Sequence, residues 1–187
     1  GGATQATDSY TYAWVGSLTN YGIIQHHFRR NLTLAESSYR EALALNGTNV
    51  HAHVHLATLL VADLDRPAEA EELYLRAMEL NPTYIPLLYH YGNFLTAERG
   101  DYDGAEQMFQ RALQIDGGNL NMLCTYGVFQ MTIRRDSRAA QQTLHDMIAV
   151  DPHHPRTLAL KTALSVDFTT NEGVQEIERE LEKQQSA

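Results

Sequence analysis

The chain has 187 residues, 43% of them apolar, and a formal net charge of -9. The apolar share excludes a disordered polypeptide, and the single Cys124 excludes a disulfide framework and a thiolate zinc site. No apolar run approaches the roughly 20 residues of a membrane helix, and the acidic balance argues against a nucleic-acid binder, whose footprint is basic.

Residues 1–7, opening Gly1-Gly2-Ala3-Thr4, are expected to be a disordered tail or an expression scar. The Asp8-Ser9 pair is a candidate N-cap for a first helix carrying Tyr10, Trp14 and Leu18. From about residue 15 an internal repeat organises the chain. Ala35, Ala70, Ala105 and Ala140 are spaced by 35 residues. Gly22, Ala57, Gly92 and Gly127 keep the same step, as do Tyr39, Tyr74, Phe109 and Leu144. So do Ala42, Ala77, Ala112 and Met147, and so do Gly47, Pro82, Gly117 and Pro152. Several columns in one register, without gaps, mark a repeat architecture. The units run over about 15–49, 50–84, 85–119 and 120–154, with a capping pair over 155–187, all within one domain over 8–187.

Each unit reads as two helices. Leu88, Tyr91 and Leu95 give the first helix of the third unit its apolar stripe, and Ala105, Met108, Phe109 and Ala112 give the second. A polar turn, Arg99-Gly100-Asp101 in that unit, joins them. The second helix is expected to stop at Asp116-Gly117-Gly118 by a left-handed glycine, or at Asn81-Pro82 and Asp151-Pro152 by proline. Small columns let paired axes approach, and the aromatic column fills the gap to the next unit. In the last pair, Leu158 and Leu164 keep register. A final helix over about 172–184 sets Val174, Ile177 and Leu181 against a glutamate-rich face, the polar end that a repeat stack requires.

Tyr91-Gly92, then Ala105, Phe109 and Ala112, then a terminator of the Pro82 or Pro152 type, resemble the tetratricopeptide repeat over about residues 15–152. Two features depart from it: the period is 35, and the column that usually holds Trp holds Leu18, His53, Leu88 and Leu123. Tyr91-Gly92 with Phe94 and Arg111-Ala112 also resembles, more weakly, the half-a-TPR repeat of RNA-processing scaffolds. The resemblance implies an all-α fold, a right-handed α-solenoid of antiparallel helix pairs, whose first helices line a concave groove. It implies a non-enzymatic protein–protein interaction module, with a protein or peptide as partner, no cofactor and an intracellular, cytoplasmic setting.

In that register the groove residues are Thr19, Asn20 and Ile23, then His51, Val54, His55 and Thr58. The next helices add Pro86, Tyr89, His90 and Asn93, then Asn121, Cys124, Thr125 and Val128, and finally Arg156. Asn20, His51, His55, Tyr89, His90, Asn93, Asn121 and Thr125 are the expected peptide contacts. Asn and His pair with a peptide backbone as donor or acceptor, and Tyr89 offers a flat anchor. Protonation of His55 and His90 between pH 7.5 and 5.5 is expected to weaken cationic ligands and strengthen acidic ones. The Lys and Arg of a carboxylate clamp are missing from these positions.

No phosphate loop, nucleophile elbow or HExxH motif is present. His51 and His55 stand at i, i+4, a spacing that can chelate, and His90 follows one period later. Neighbouring helices roughly 8–10 Å apart and the lack of a second shell of carboxylates argue against a metal. His53 reads as a packed histidine and Cys124 as an inert thiol. Arg29-Arg30 and Arg134-Arg135 read as a solvated edge, interrupted by acids such as Asp63 and Asp65. The Arg99-Gly100-Asp101 tripeptide reads as a turn, and Asn31-Leu32-Thr33 and Asn46-Gly47-Thr48 as chance sequons. Self-association through the terminal helices, helped by Tyr10 and Trp14, is a further expectation. The rival readings are the RNA-processing scaffold and a regulatory domain of a larger enzyme.

Overall fold

A computed structural model describes residues 2–167. The final helix expected over 172–184 therefore lies outside the described residues. Among the described residues every regular element is helical. The α-helices are α1 (Gly2–Ile24), α2 (Leu32–Leu45), α3 (Val50–Ala62), α4 (Pro67–Leu80), α5 (Ile85–Phe94), α6 (Tyr102–Ile115), α7 (Leu120–Phe129), α8 (Ser137–Val150) and α9 (Pro155–Asp167). Helix α1 begins upstream of the Asp8-Ser9 pair.

The chain divides into two compact units, Gly1–Asp101 and Tyr102–Ala187. In the first, α1 pairs with α2 and α3 with α4, the first helices α1, α3 and α5 lie side by side, and α2 and α4 back them. In the second, α7 pairs with α8, α9 packs on both, and α6 packs on α7.

The 35-residue period has a local cause. Helices α1, α5 and α7 do not end as α-helices. Their last turns, Gln25–Arg29, Leu95–Arg99 and Gln130–Arg134, widen into π-helix. Each is closed by a left-handed residue: Arg30 (φ 55), Gly100 (φ 62) and Arg135 (φ 57), with Asp65 (φ 52) in the equivalent place after α3. The next amide then reaches back six residues: Asn31 to the Gln25 carbonyl, Arg66 to Leu60, Asp101 to Leu95 and Asp136 to Gln130. The extra residue of each repeat is absorbed in this wide turn, between the paired helices.

The left-handed glycine expected at the end of the second helices is not there. Gly100 is the one described glycine with positive φ, and it closes a first helix. The second helices stop at an Asn or Asp instead. Asn46 Oδ1 accepts from the Thr48 amide and hydroxyl, Asn81 Oδ1 from those of Thr83, and Asp151 Oδ1 from the His153 amide. Such side chains mimic a backbone turn and end a helix without left-handed backbone. The next first helix starts on an N-cap where Asn49 and Asn119 accept from Ala52 and Met122. Asn31 caps α2 through the Leu34 amide, so both sequons are turn and cap residues.

Ala35, Ala42, Ala70, Ala77, Ala105, Ala112 and Ala140 are fully buried. Gly22 faces an aromatic ring and not an alanine: a Cβ there would lie 2.5 Å from Tyr39 Cε1. At Gly127 the added atom would meet Leu160 Cδ2 at 2.6 Å. The aromatic column joins successive pairs as expected. Tyr39 stacks on His55, with ring centroids 6.0 Å apart. Tyr74 meets Tyr91 and Phe94, both at 5.5 Å, and Phe109 meets Tyr126 at 6.4 Å and Phe129 at 5.4 Å. In the Trp-type column Leu18, His53, Leu88 and Leu123 are buried. Leu158 breaks register there and is exposed, and Leu160 and Leu164 carry the burial on α9.

Candidate functional site

Within the first unit, the inner face is built by α1, α3 and α5. His51 and His55 project one turn apart from α3, their rings 5.9 Å apart edge to face. His51 also meets the Tyr84 ring at 5.1 Å, and Tyr89 meets His90 at 4.9 Å. A pocket of about 160 Å³ opens at His90, lined also by Thr58, Val61, Tyr74, Asn93 and Ala97 among others. Its floor is the repeat core itself: Tyr74 donates to or accepts from Thr58 at 3.2 Å and packs under Phe94.

The electrostatics are those of crowded, desolvated imidazoles. Burial pushes His55 down to about 4, helped by repulsion from His51, His90, His27 and His26. Burial pushes His90 down to about 4 as well, with His27 contributing. His27 is lowered too, by burial and then by His26. His55 and His90 are therefore neutral across pH 7.5–5.5, which corrects the expectation that they titrate there. They act in that range as uncharged donors and acceptors. Among the described residues no three His, Cys, Asp or Glu side chains are grouped to hold a metal ion.

Of the expected contacts, Asn20 and His51 are exposed, and His55, Tyr89, His90 and Asn93 are half-buried on the inner face of the first unit. Asn121 (exposed) and Thr125 (half-buried) lie on α7 of the second unit, where the Thr125 hydroxyl is spent on the Asn121 carbonyl at 3.0 Å. Three other expected groove positions belong to the core: Thr19 is buried with its hydroxyl on the Val15 carbonyl, and Val54 and Cys124 are buried. The reason is the side-by-side packing of first helices, which covers the flanks of the predicted stripe. Cys124 is buried, and burial raises its thiol above the ordinary range. His53 is a packed histidine, as read, with Nδ1 on the Asn49 carbonyl at 2.9 Å.

Sequence reasoning missed a polar cluster at the end of α1. His26 is buried, and its Nε2 lies 2.7 Å from Asp63 Oδ2; Arg30 Nη2 donates to the other oxygen at 2.7 Å. The His26 hydrogen bond, against burial, holds the Asp63 carboxyl below its usual range, with Arg30 assisting. Asp63 is thus a structural counter-ion, not a solvated acid of the edge. Its link to His26 crosses columns, so the 35-residue period does not reveal it. Two arginines of the later turns are likewise engaged. Arg99 donates to Glu71 Oε2 at 2.6 Å, and Arg134 to Glu106 Oε2 and Asp103 Oδ1.

Three models described as tetratricopeptide repeat match the sequence, over residues 50–84, 73–107 and 96–164. Together they span 50–164, more than half the chain. No curated protein matches it. Among solved structures, a tetratricopeptide repeat protein from Parabacteroides merdae is 16% identical, with a TM-score of 0.68 over 93% of this chain and 68% of that one. A thermophilic TPR protein in Thermus thermophilus is 16% identical, with a TM-score of 0.68 over 81% and 80%. YrrB, described as a TPR protein with an unusual peptide-binding site, is 14% identical, with a TM-score of 0.60 over 96% and 98%. At these identities the likeness is one of fold.

Proposed function

The chain belongs to the tetratricopeptide repeat family, all-α scaffolds of helix pairs that serve in general as non-catalytic modules of protein–protein interaction, and from that premise we propose that it binds an extended peptide along its first helices. The carrying observation is the 160 Å³ pocket bordered by His90 and Asn93. A preformed cavity of about that size takes one benzene-sized group. The proposed ligand therefore anchors a single aromatic or branched aliphatic side chain there. His51, His55, His90 and Asn93 pair with its backbone, which neutral imidazole and amide groups do in either direction. Tyr89 packs on the ligand's flank, and Asn20 extends the contact along α1. A rigid groove limits the ordering cost of association. No helix among the described residues is long and apolar enough to cross a membrane.

The test is an affinity pull-down from a native lysate, with and without nuclease. Wild-type protein is compared with a variant carrying His90→Glu and Asn93→Ala, matched for helicity. A protein retained after nuclease and lost with the variant is the expected result. Equal retention by both proteins would move the interface off this groove, and loss on nuclease treatment would make the ligand an RNA.

A further inference from the structure

The outward face of α1 and its terminal turn carries Trp14, Tyr21, Ile24 and Phe28, which are 57%, 45%, 47% and 79% exposed. The repeat itself shows what such a face accepts. In the column of Ile24, the later residues Leu59, Phe94 and Phe129 are 0%, 2% and 4% exposed. What covers Phe94 and Phe129 is the second helix of the preceding pair. Tyr74 of α4 packs on Tyr91 and Phe94 of α5. Glu71, one turn earlier on α4, takes Arg99, whose guanidinium lies 5.1 Å over the Phe94 ring. In the second unit Phe109 of α6 packs on Tyr126 and Phe129 of α7. Glu106, again one turn earlier, takes Arg134, which lies 5.6 Å over Phe129. The two copies obey one rule. A first helix presenting Tyr, a large apolar residue and Arg at fixed spacing is met by a helix carrying Glu three residues before Tyr or Phe. Alanines flank that pair on the same stripe: Ala70 and Ala77 in α4, Ala105 and Ala112 in α6.

Helix α1 and its terminal turn have all three positions. Tyr21 stands in the column of Tyr91 and Tyr126, Ile24 in that of Phe94 and Phe129, and Arg29 in that of Arg99 and Arg134. Arg29 is exposed, and no carboxylate among the described residues pairs with it. We propose that this face docks a helix of a partner protein with the pattern Ala-Glu-x-x-(Tyr/Phe)-x-x-Ala. The aromatic residue fills the saddle between Tyr21 and Ile24, and the glutamate meets Arg29. Charge complementarity sets the register, and apolar burial supplies the affinity. This surface is separate from the peptide groove.

The probe is a hydrocarbon-stapled peptide with the sequence of residues 67–80, the protein's own α4, stapled because an isolated helix of that length is marginal in water. Trp14, the only tryptophan, lies on the face and reports binding. Titration into the full chain is expected to blue-shift its emission saturably. Ile24→Glu in the protein, or Tyr74→Ala in the peptide, is expected to weaken binding on the order of tenfold or more. Ile24 is exposed, so its charged variant folds, which circular dichroism checks. Arg29→Glu weakens binding and is rescued by a peptide with Glu71→Arg, an effect that loss of general stickiness would not produce. No spectral response to the peptide overturns the proposal. So does a response abolished by His90→Glu and untouched by Ile24→Glu, which puts the peptide in the groove. A wild-type dimer that Ile24→Glu converts to monomer assigns the face to a second copy and overturns a partner helix.

Discussion

The two units share one kind of junction and differ in what they show on their inner faces. Tyr74 on Tyr91 and Phe94, with Arg99 on Glu71, is reproduced as Phe109 on Tyr126 and Phe129, with Arg134 on Glu106. The inner columns are not reproduced. The first unit has His55, His90 and Asn93 in them beside a pocket; the second has Thr125 in the column of His55 and His90, and Val128 in that of Asn93. A repeat must keep the residues that bury one pair against the next, since no pair buries its own face. The inner face carries no such duty, so it is where the units diverge and where the proposed binding chemistry is placed.

The largest effect should come from the shared junction. Tyr74→Ala and Phe109→Ala each remove a fully buried ring, at a cost of about 3–5 kcal/mol. Urea denaturation should return similar losses for the two, and a near-neutral result at either would break the equivalence of the junctions. Next comes Gly22→Ala, whose new methyl would collide with the buried Tyr39 ring and cost about 1–3 kcal/mol. Gly127→Ala meets chiefly the far end of Leu160, a flexible side chain, with the Thr143 methyl at 3.4 Å, and should cost less. Equal losses would show that the ring at Tyr39 yields as readily as a leucine methyl.

A third effect belongs to the first unit. His55 and His90 fall from an ordinary 6.5 to about 4 on folding. The unfolded chain then binds more protons than the folded one as pH drops below about 6.5. Stability is fully present above that value and is lost progressively toward pH 4, by about 1–2 kcal/mol per histidine at pH 5. His55→Gln with His90→Gln should flatten denaturation midpoints between pH 6.5 and 4.5. Asp63, whose carboxyl is lowered by His26 and Arg30, adds its own loss only at lower pH. An unchanged slope in the double variant would show that the inner-face histidines are not desolvated.

The smallest effect is a gain. Arg135 sits at φ 57, where a non-glycine residue is disfavoured and glycine is not. Arg135→Gly is expected to stabilise by about 0.5–1 kcal/mol, because the removed strain exceeds the added freedom of the unfolded chain. Destabilisation by calorimetry would mean that the Arg135 side chain holds the turn.

How legible these features were follows from the same comparison. Tyr74, Phe109, Ala77 and Ala112 recur at one spacing, so both the helix pairs and their junctions could be read directly. The wide turn could not: its left-handed position holds Arg30, Asp65, Gly100 and Arg135, three different chemistries closed by the same backbone hydrogen bond. The inner face was legible in part. The register places His55, His90 and Asn93 at half-buried positions, while Thr19, Val54 and Cys124 are core residues, because a register does not show how far a neighbouring helix overlaps. The His26–Asp63 bond joins unlike columns and leaves no trace in a repeat. The low basicity of His55 and His90 comes from burial among other imidazoles, which spacing alone does not reveal.

The most direct test of the central claim, that binding lies on the divergent inner face, is hydrogen exchange on the complex recovered from lysate. The amides of α3 and α5 around His51–Thr58 and Tyr89–Ala97 should gain protection on binding, with the second helices α2, α4, α6 and α8 unchanged. Protection concentrated on those second helices, with α3 and α5 unaltered, would contradict it.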